Sequence, residues 1–115
     1  MKAKGVHYIV DSRGVNFDTL NNEEFFKNLI IEGCKECNYD LREIYSYKFE
    51  PYGLTVIGVI GESHISFHTF PEEEAFMLDV FCCGDDEEKP KLFVEYALKV
   101  LEPTINKIKV VKREV

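Results

Sequence analysis

Apolar side chains along this chain follow first a strand rhythm, then a helical one, then strands again. Between Gly5 and Asp11 the run Val6-His7-Tyr8-Ile9-Val10 is rich in β-branched and aromatic residues and predicts a strand, ended by the turn-forming Asp11-Ser12-Arg13-Gly14. Phe26, Leu29, Ile30, Cys34 and Cys37 then recur at the spacing of one buried helical stripe. Asn21 stands three residues before Glu24, a capping-box-like start, so a helix is expected from about Asn22 to Gly33. From Leu41 the texture is that of strands: Leu41 to Phe49, Gly53 to Ile60, Ser63 to Phe70 and Ala75 to Cys83. Pro51-Tyr52-Gly53, Gly61-Glu62 and Pro71 with its acidic followers suit tight connections between antiparallel neighbours. Pro90 fits the first turn of a second helix in which Phe93, Ala97, Val100 and Leu101 share a face, Pro103 stops it, and Ile105 to Val111 forms a last strand.

This order predicts an α+β fold, a two-layer sandwich of an antiparallel β-sheet with two helices on one face. The helices leave the other sheet face uncovered, and its apolar content calls for a partner, a second copy of the chain in a homodimer. With 115 residues and 13.4 kDa, a single domain spanning residues 1–115 is expected. Hydrophobic residues at 45% and charged residues at 30% exclude a disordered chain. A formal charge of -7 repels phosphate, so neither nucleic acid nor an anionic membrane is an expected partner. The apolar stretch from Leu54 to Ile60 falls far short of the ~20 residues that span a bilayer, and Val6 to Val10 is too short for a signal-peptide core. A cytoplasmic, reducing location follows, with the four cysteines as thiols.

Two segments carry candidate chemistry. Cys34-Lys35-Glu36-Cys37 has the spacing of a redox pair or half a zinc site, but it falls near a helix carboxyl end, where the dipole opposes a thiolate. Cys82 and Cys83 are adjacent on a strand and point to opposite faces, so they complete no four-thiolate cage, and buried helical cysteines are the favoured reading of the first pair. The second segment, Glu62 to Glu72, gathers two of the three histidines, three hydroxyls and two carboxylates. It reads equally as an edge strand with Ile65 and Phe67 inward and His64, Ser66 and His68 in water. Ser63 and His68 lie on opposite faces, ~17 Å apart along a regular strand, which disfavours a serine–histidine hydrolase pair.

The stretch Glu62-Ser63-His64-Ile65-Ser66-Phe67-His68-Thr69, followed by Pro71-Glu72 and then by Asp79-Val80-Phe81-Cys82-Cys83-Gly84, closely resembles the prokaryotic pyruvoyl-dependent S-adenosylmethionine decarboxylases. The similarity covers most of the chain: Gly5 to Asp11 resembles the family's first strand, and Lys48-Phe49-Glu50-Pro51-Tyr52-Gly53 the segment leading to its processing region.

This resemblance implies a proenzyme that cuts itself between Glu62 and Ser63, giving chains 1–62 and 63–115 and leaving a pyruvoyl group where Ser63 stood. The cofactor would thus be the chain's own, with neither pyridoxal phosphate nor a metal. Its carbonyl would form a Schiff base with the substrate amine and act as an electron sink. By the same resemblance His68 serves proton transfer in processing and Thr55 supports it, where the family often has serine. Cys83 is the proton donor in decarboxylation, Phe49 stacks on adenine, Glu72 accepts hydrogen bonds from the ribose hydroxyls, and a homodimer has its active sites near the subunit interface. Without the resemblance, Phe49 would read as a core aromatic, Glu72 as a solvated acid and Cys83 as a small buried side chain.

Three departures stand out. Phe70 replaces a common tryptophan, Cys82 a frequent threonine, and Glu73-Glu74-Ala75-Phe76-Met77 a small and aromatic run. Some relatives of the family decarboxylate arginine or ornithine, and the carboxylates of Glu72, Glu73 and Glu74 would suit such a basic substrate too. A non-catalytic binding relative is a further alternative, opposed by the intact set Glu62, Ser63, His68 and Cys83. From Phe49 to Glu88 there are ten acids and no Lys or Arg, while the rest of the chain is net +3. The acidic balance thus lies in the segment of the candidate site, where it favours a small cationic substrate and a protonated Cys83.

Overall fold

The strands assemble into one six-stranded sheet in the computed structural model of the chain, which describes residues 2–61 and 63–115. Strands β1 (Lys4–Arg13), β2 (Leu41–Lys48), β3 (Leu54–Ile60), β4 (Ser63–Phe70), β5 (Ala75–Cys83) and β6 (Ile105–Glu114) lie in the order β2-β3-β4-β5-β1-β6. Every neighbouring pair is antiparallel. Tight connections make β2 to β5 a meander, as the turn residues predict, and β1 then enters between β5 and β6. β4 therefore lies inside the sheet, not at its edge, and Ser66 is buried while His64 and His68 are exposed.

Helices α1 (Phe17–Leu20), α2 (Glu23–Glu36) and α3 (Glu88–Leu101) complete the fold. Phe26, Leu29 and Ile30 of α2 and Phe93, Val94 and Ala97 of α3 join Val10, Val56, Phe67 and Leu78 of the sheet in one buried cluster. The expected two-layer α+β architecture is thus observed. The one-turn α1, capped by Asn16 accepting from the Thr19 N–H at 2.8 Å, is too short to leave a helical period in the sequence.

Helix α2 differs from expectation at both ends. Its N-cap is Asn22, whose side chain accepts from the Phe25 N–H at 3.0 Å, whereas Asn21 accepts from the Gly53 N–H and ties the helix start to the β2–β3 connection. Gly33 does not end the helix: a Cβ there would meet Phe93 at 2.5 Å, so glycine serves the close approach of α2 and α3. The helix closes only beyond Glu36, where Asn38 turns left-handed at φ 58 and the Tyr39 N–H reaches the Cys34 carbonyl at 2.8 Å. β6 outruns its apolar pattern because its ladder with β1 continues to the Lys4–Glu114 pair, where the two side chains also form an ion pair at 3.7 Å.

Phe67 is fully buried, with the rings of Phe26 and Phe76 at centroid distances of 5.1 and 6.0 Å. Phe67→Ala is expected to cost about 3–5 kcal/mol of unfolding free energy, read as a lowered urea midpoint at unchanged slope. A midpoint equal to that of the parent chain would contradict this core. Among the described residues no helix is long and apolar enough to cross a membrane.

Candidate functional site

The residues singled out in the sequence fall into two groups at the two ends of β4. At its beginning, the β3–β4 turn passes through Gly61 at φ 54, and Ser63 follows as the first residue of the strand. One position beyond the His64–Phe81 pair, the ladder sets Ser63 opposite Cys82, at the end of β5. The backbone N–H of Cys83 donates to Ser63 Oγ at 3.1 Å. Cys83 itself is exposed and pairs across the ladder with Gly5, on the sheet face that carries no helix.

A cleft of about 380 Å³ opens at this end, lined by Tyr39, Ser63, Cys82, Cys83, Asp86 and Lys89 among others. This volume is in the range of small-molecule sites. Tyr39 and Cys82 share a hydrogen bond at 3.2 Å, and the Lys89 ammonium stands 4.8 Å from the centre of the Tyr39 ring. Burial pushes the Cys82 thiol up, opposed by hydrogen bonds from Tyr39 and Ser63 and by the charge of Lys89. Burial likewise holds the Tyr39 phenol protonated, reinforced by its bond to Cys82.

At the other end of β4 the ladder pairs Thr55 directly with His68, and Thr55 Oγ1 and His68 Nδ1 lie 3.0 Å apart. A second cleft of about 290 Å³ is lined there by Phe49, Tyr52, Thr55, His68, Phe70 and Glu72, with others. Phe49 is half exposed and leans on Tyr47 at a centroid distance of 4.8 Å. Glu72 belongs to the 3-10 turn Pro71–Glu73, which carries the chain from β4 into β5. Of its acidic neighbours, Glu73 is engaged by Arg13, which approaches its carboxylate at 3.6 Å and donates to its carbonyl at 3.2 Å.

Ser63 and Cys83 are therefore brought together, as are Phe49, Thr55, His68 and Glu72, but the two sets are separated along β4. Glu62 lies outside the described residues. The sequence reading missed Tyr39 and Lys89 at the first cleft. Tyr39 sits in a connection without periodicity, and only the fold carries it to Cys82.

Cys34 and Cys37 lie in the last turn and at the C-cap of α2. Both are buried, and burial with the neighbouring Cys37 pushes the Cys34 thiol up to about 11. They are core thiols, kept protonated where a redox pair would need a thiolate.

Comparison with known proteins agrees with this arrangement. The family model described as S-adenosylmethionine decarboxylase matches residues 6–114. The S-adenosylmethionine decarboxylase proenzyme of Brevibacillus brevis is 38% identical over 99 residues, 86% of this chain and 74% of that protein. The proenzyme of Thermococcus gammatolerans is 33% identical over 109 residues, 95% of this chain and 76% of that protein. The crystal structure of the adenosylmethionine decarboxylase from Aquifex aeolicus superposes with a TM-score of 0.89 at 30% identity, covering 98% of this chain and 92% of that one. The chain accordingly belongs to the S-adenosylmethionine decarboxylase family.

Proposed function

We propose that this chain is a self-processing decarboxylase of polyamine biosynthesis that takes S-adenosylmethionine as its substrate. The observation that carries the proposal is the pairing of Ser63 and Cys83 at one cleft, with the serine oxygen held 3.1 Å from a backbone N–H.

Processing asks Ser63 Oγ to attack the carbonyl carbon of Glu62, which turns the amide into an ester. Loss of the Ser63 α-proton then expels residues 1–62 as a free carboxylate. Hydrolysis of the remaining dehydroalanine releases ammonia and leaves a pyruvoyl group at the head of residues 63–115. The surroundings of Ser63 would fit such a group: the Cys83 backbone N–H beside it, freed when Oγ leaves with residues 1–62, would be a donor for the new ketone oxygen on Cα. When present, a pyruvoyl carbonyl supplies the electron sink for decarboxylation, the task of pyridoxal phosphate in other enzymes. Around it, Asp86 and the neighbouring acidic segment attract a cationic substrate, and Cys83 stands ready to return a proton to the carbon that loses carbon dioxide.

In this reading His68, Thr55, Phe49 and Glu72 complete the site from a second copy of the chain. Five residues of regular strand separate Ser63 from His68 by ~17 Å, too far for proton transfer within one protomer. That calls for a two-fold pairing of the helix-free faces in which each protomer's Ser63 end meets its partner's His68 end. Exposed Tyr45, Tyr47, Phe70 and Met77 give that face the apolar surface of an interface. The engagement of Glu73 by Arg13 leaves fewer carboxylates for a guanidinium, which favours S-adenosylmethionine over arginine or ornithine.

Intact-mass measurement of the purified protein is expected to show residues 1–62 and 63–115 as separate chains, the second lighter by one ammonia than a serine-started peptide. Labelled carbon dioxide should be released from S-adenosylmethionine in preference to arginine and ornithine. An uncut chain under all conditions would sink the processing reading, and turnover of arginine or ornithine alone would replace the substrate.

A further inference from the structure

We infer that Cys82, anchored by Tyr39, orients the Ser63 hydroxyl for backbone cleavage, a role that rests on the self-processing reading above. A serine hydroxyl has one proton to donate and two lone pairs. One lone pair of Ser63 accepts the Cys83 N–H at 3.1 Å. The hydroxyl also hydrogen-bonds to Cys82, which faces it across the ladder. With the proton directed to sulfur and one lone pair on the N–H, rotation about the Cβ–Oγ bond stops and a single lone pair is left for attack.

Tyr39 fixes the sulfur in turn. Its hydroxyl lies 3.2 Å from Cys82 Sγ, and its ring is held by the Lys89 ammonium on one side and the core on the other. The phenol stays protonated through its burial and shares its hydrogen bond with the sulfur, either group serving as the donor. Cys82 is itself buried.

The step it serves balances without an added reagent. The free lone pair of Ser63 Oγ forms a bond to the Glu62 carbonyl carbon, the bond from that carbon to the Ser63 nitrogen breaks, and the hydroxyl proton ends on the nitrogen. Cys82 touches the reacting oxygen, and Tyr39 acts through Cys82 as a positioning residue.

The test follows cleavage of newly made full-length chain by intact mass during cell-free synthesis, for the parent and for Cys82→Ala, Cys82→Ser and Tyr39→Phe. Loss of one orienting hydrogen bond predicts cleavage slowed about tenfold or more in Cys82→Ala, restored to within about threefold in Cys82→Ser, and intermediate in Tyr39→Phe. Tyr39→Phe keeps the ring and its packing, so misfolding does not mask its effect. Hydroxylamine splits a backbone ester but not an amide, and the uncut Cys82→Ala chain should resist it. Parent-like cleavage of Cys82→Ala and Tyr39→Phe overturns the inference alone. Hydroxylamine splitting of uncut Cys82→Ala also overturns it, since the ester would then have formed without Cys82. A parent chain that never cuts overturns the processing reading and this inference with it.

Discussion

Ser63→Ala is expected to leave a chain that runs as one intact mass of 115 residues and releases no carbon dioxide from S-adenosylmethionine. The change removes one oxygen, yet in this reading two steps depend on it: it is the nucleophile of the cut, and its departure with the new carboxylate makes the dehydroalanine from which the pyruvoyl group forms. The fold should survive. Ser63 begins a strand, and its Oγ accepts the Cys83 N–H and hydrogen-bonds to Cys82 at a cleft, so the two lost hydrogen bonds together cost about 1–3 kcal/mol. Melting near the parent temperature together with zero cleavage is the predicted combination. Fragments at residues 1–62 and 63–115 from this variant would refute Ser63 as the cleavage site.

Cys83→Ala is expected to separate processing from turnover. The contact between Cys83 and Ser63 uses the backbone N–H, which alanine keeps, so cutting should proceed to the same two fragments. The thiol is exposed on the helix-free face and lines the cleft, and its removal takes away the group assigned to return the proton. A positioned general acid contributes about 10²–10⁴-fold, and a loss of turnover in that range per processed chain is the expected reading. Full turnover with complete processing would remove Cys83 from the proton-donor role. Cleavage blocked in both Cys83→Ala and Cys83→Ser would instead place the thiol in processing.

Much of the secondary structure was legible because burial on one side leaves a period in the sequence. Strands β4 and β5 match their expected bounds, and α2 shows its stripe in Phe26, Leu29, Ile30 and Cys34. The errors fall where a local signal was overridden. Gly33 resembles a helix stop but is glycine because Phe93 packs against it, and Asn21 resembles a cap but holds Gly53 across a loop. The tail of β6 has no apolar alternation, since an edge strand is held by its ladder to β1 rather than by burial.

The chemistry divides along the same line. By itself the sequence determined the fold class, the family, and the candidate residues Ser63, His68 and Cys83, because covalent chemistry requires particular side chains and a motif displays them. It also showed that the acidic charge is confined to the segment between Phe49 and Glu88. Only the tertiary structure decided that these residues form two clefts instead of one, and that Tyr39 and Lys89 join Ser63 at the first. The reason is geometric: a strand advances by ~3.3 Å per residue, so neighbours in a motif can be far apart, while antiparallel pairing brings the Cys83 N–H to Ser63 Oγ across a separation of 20 residues.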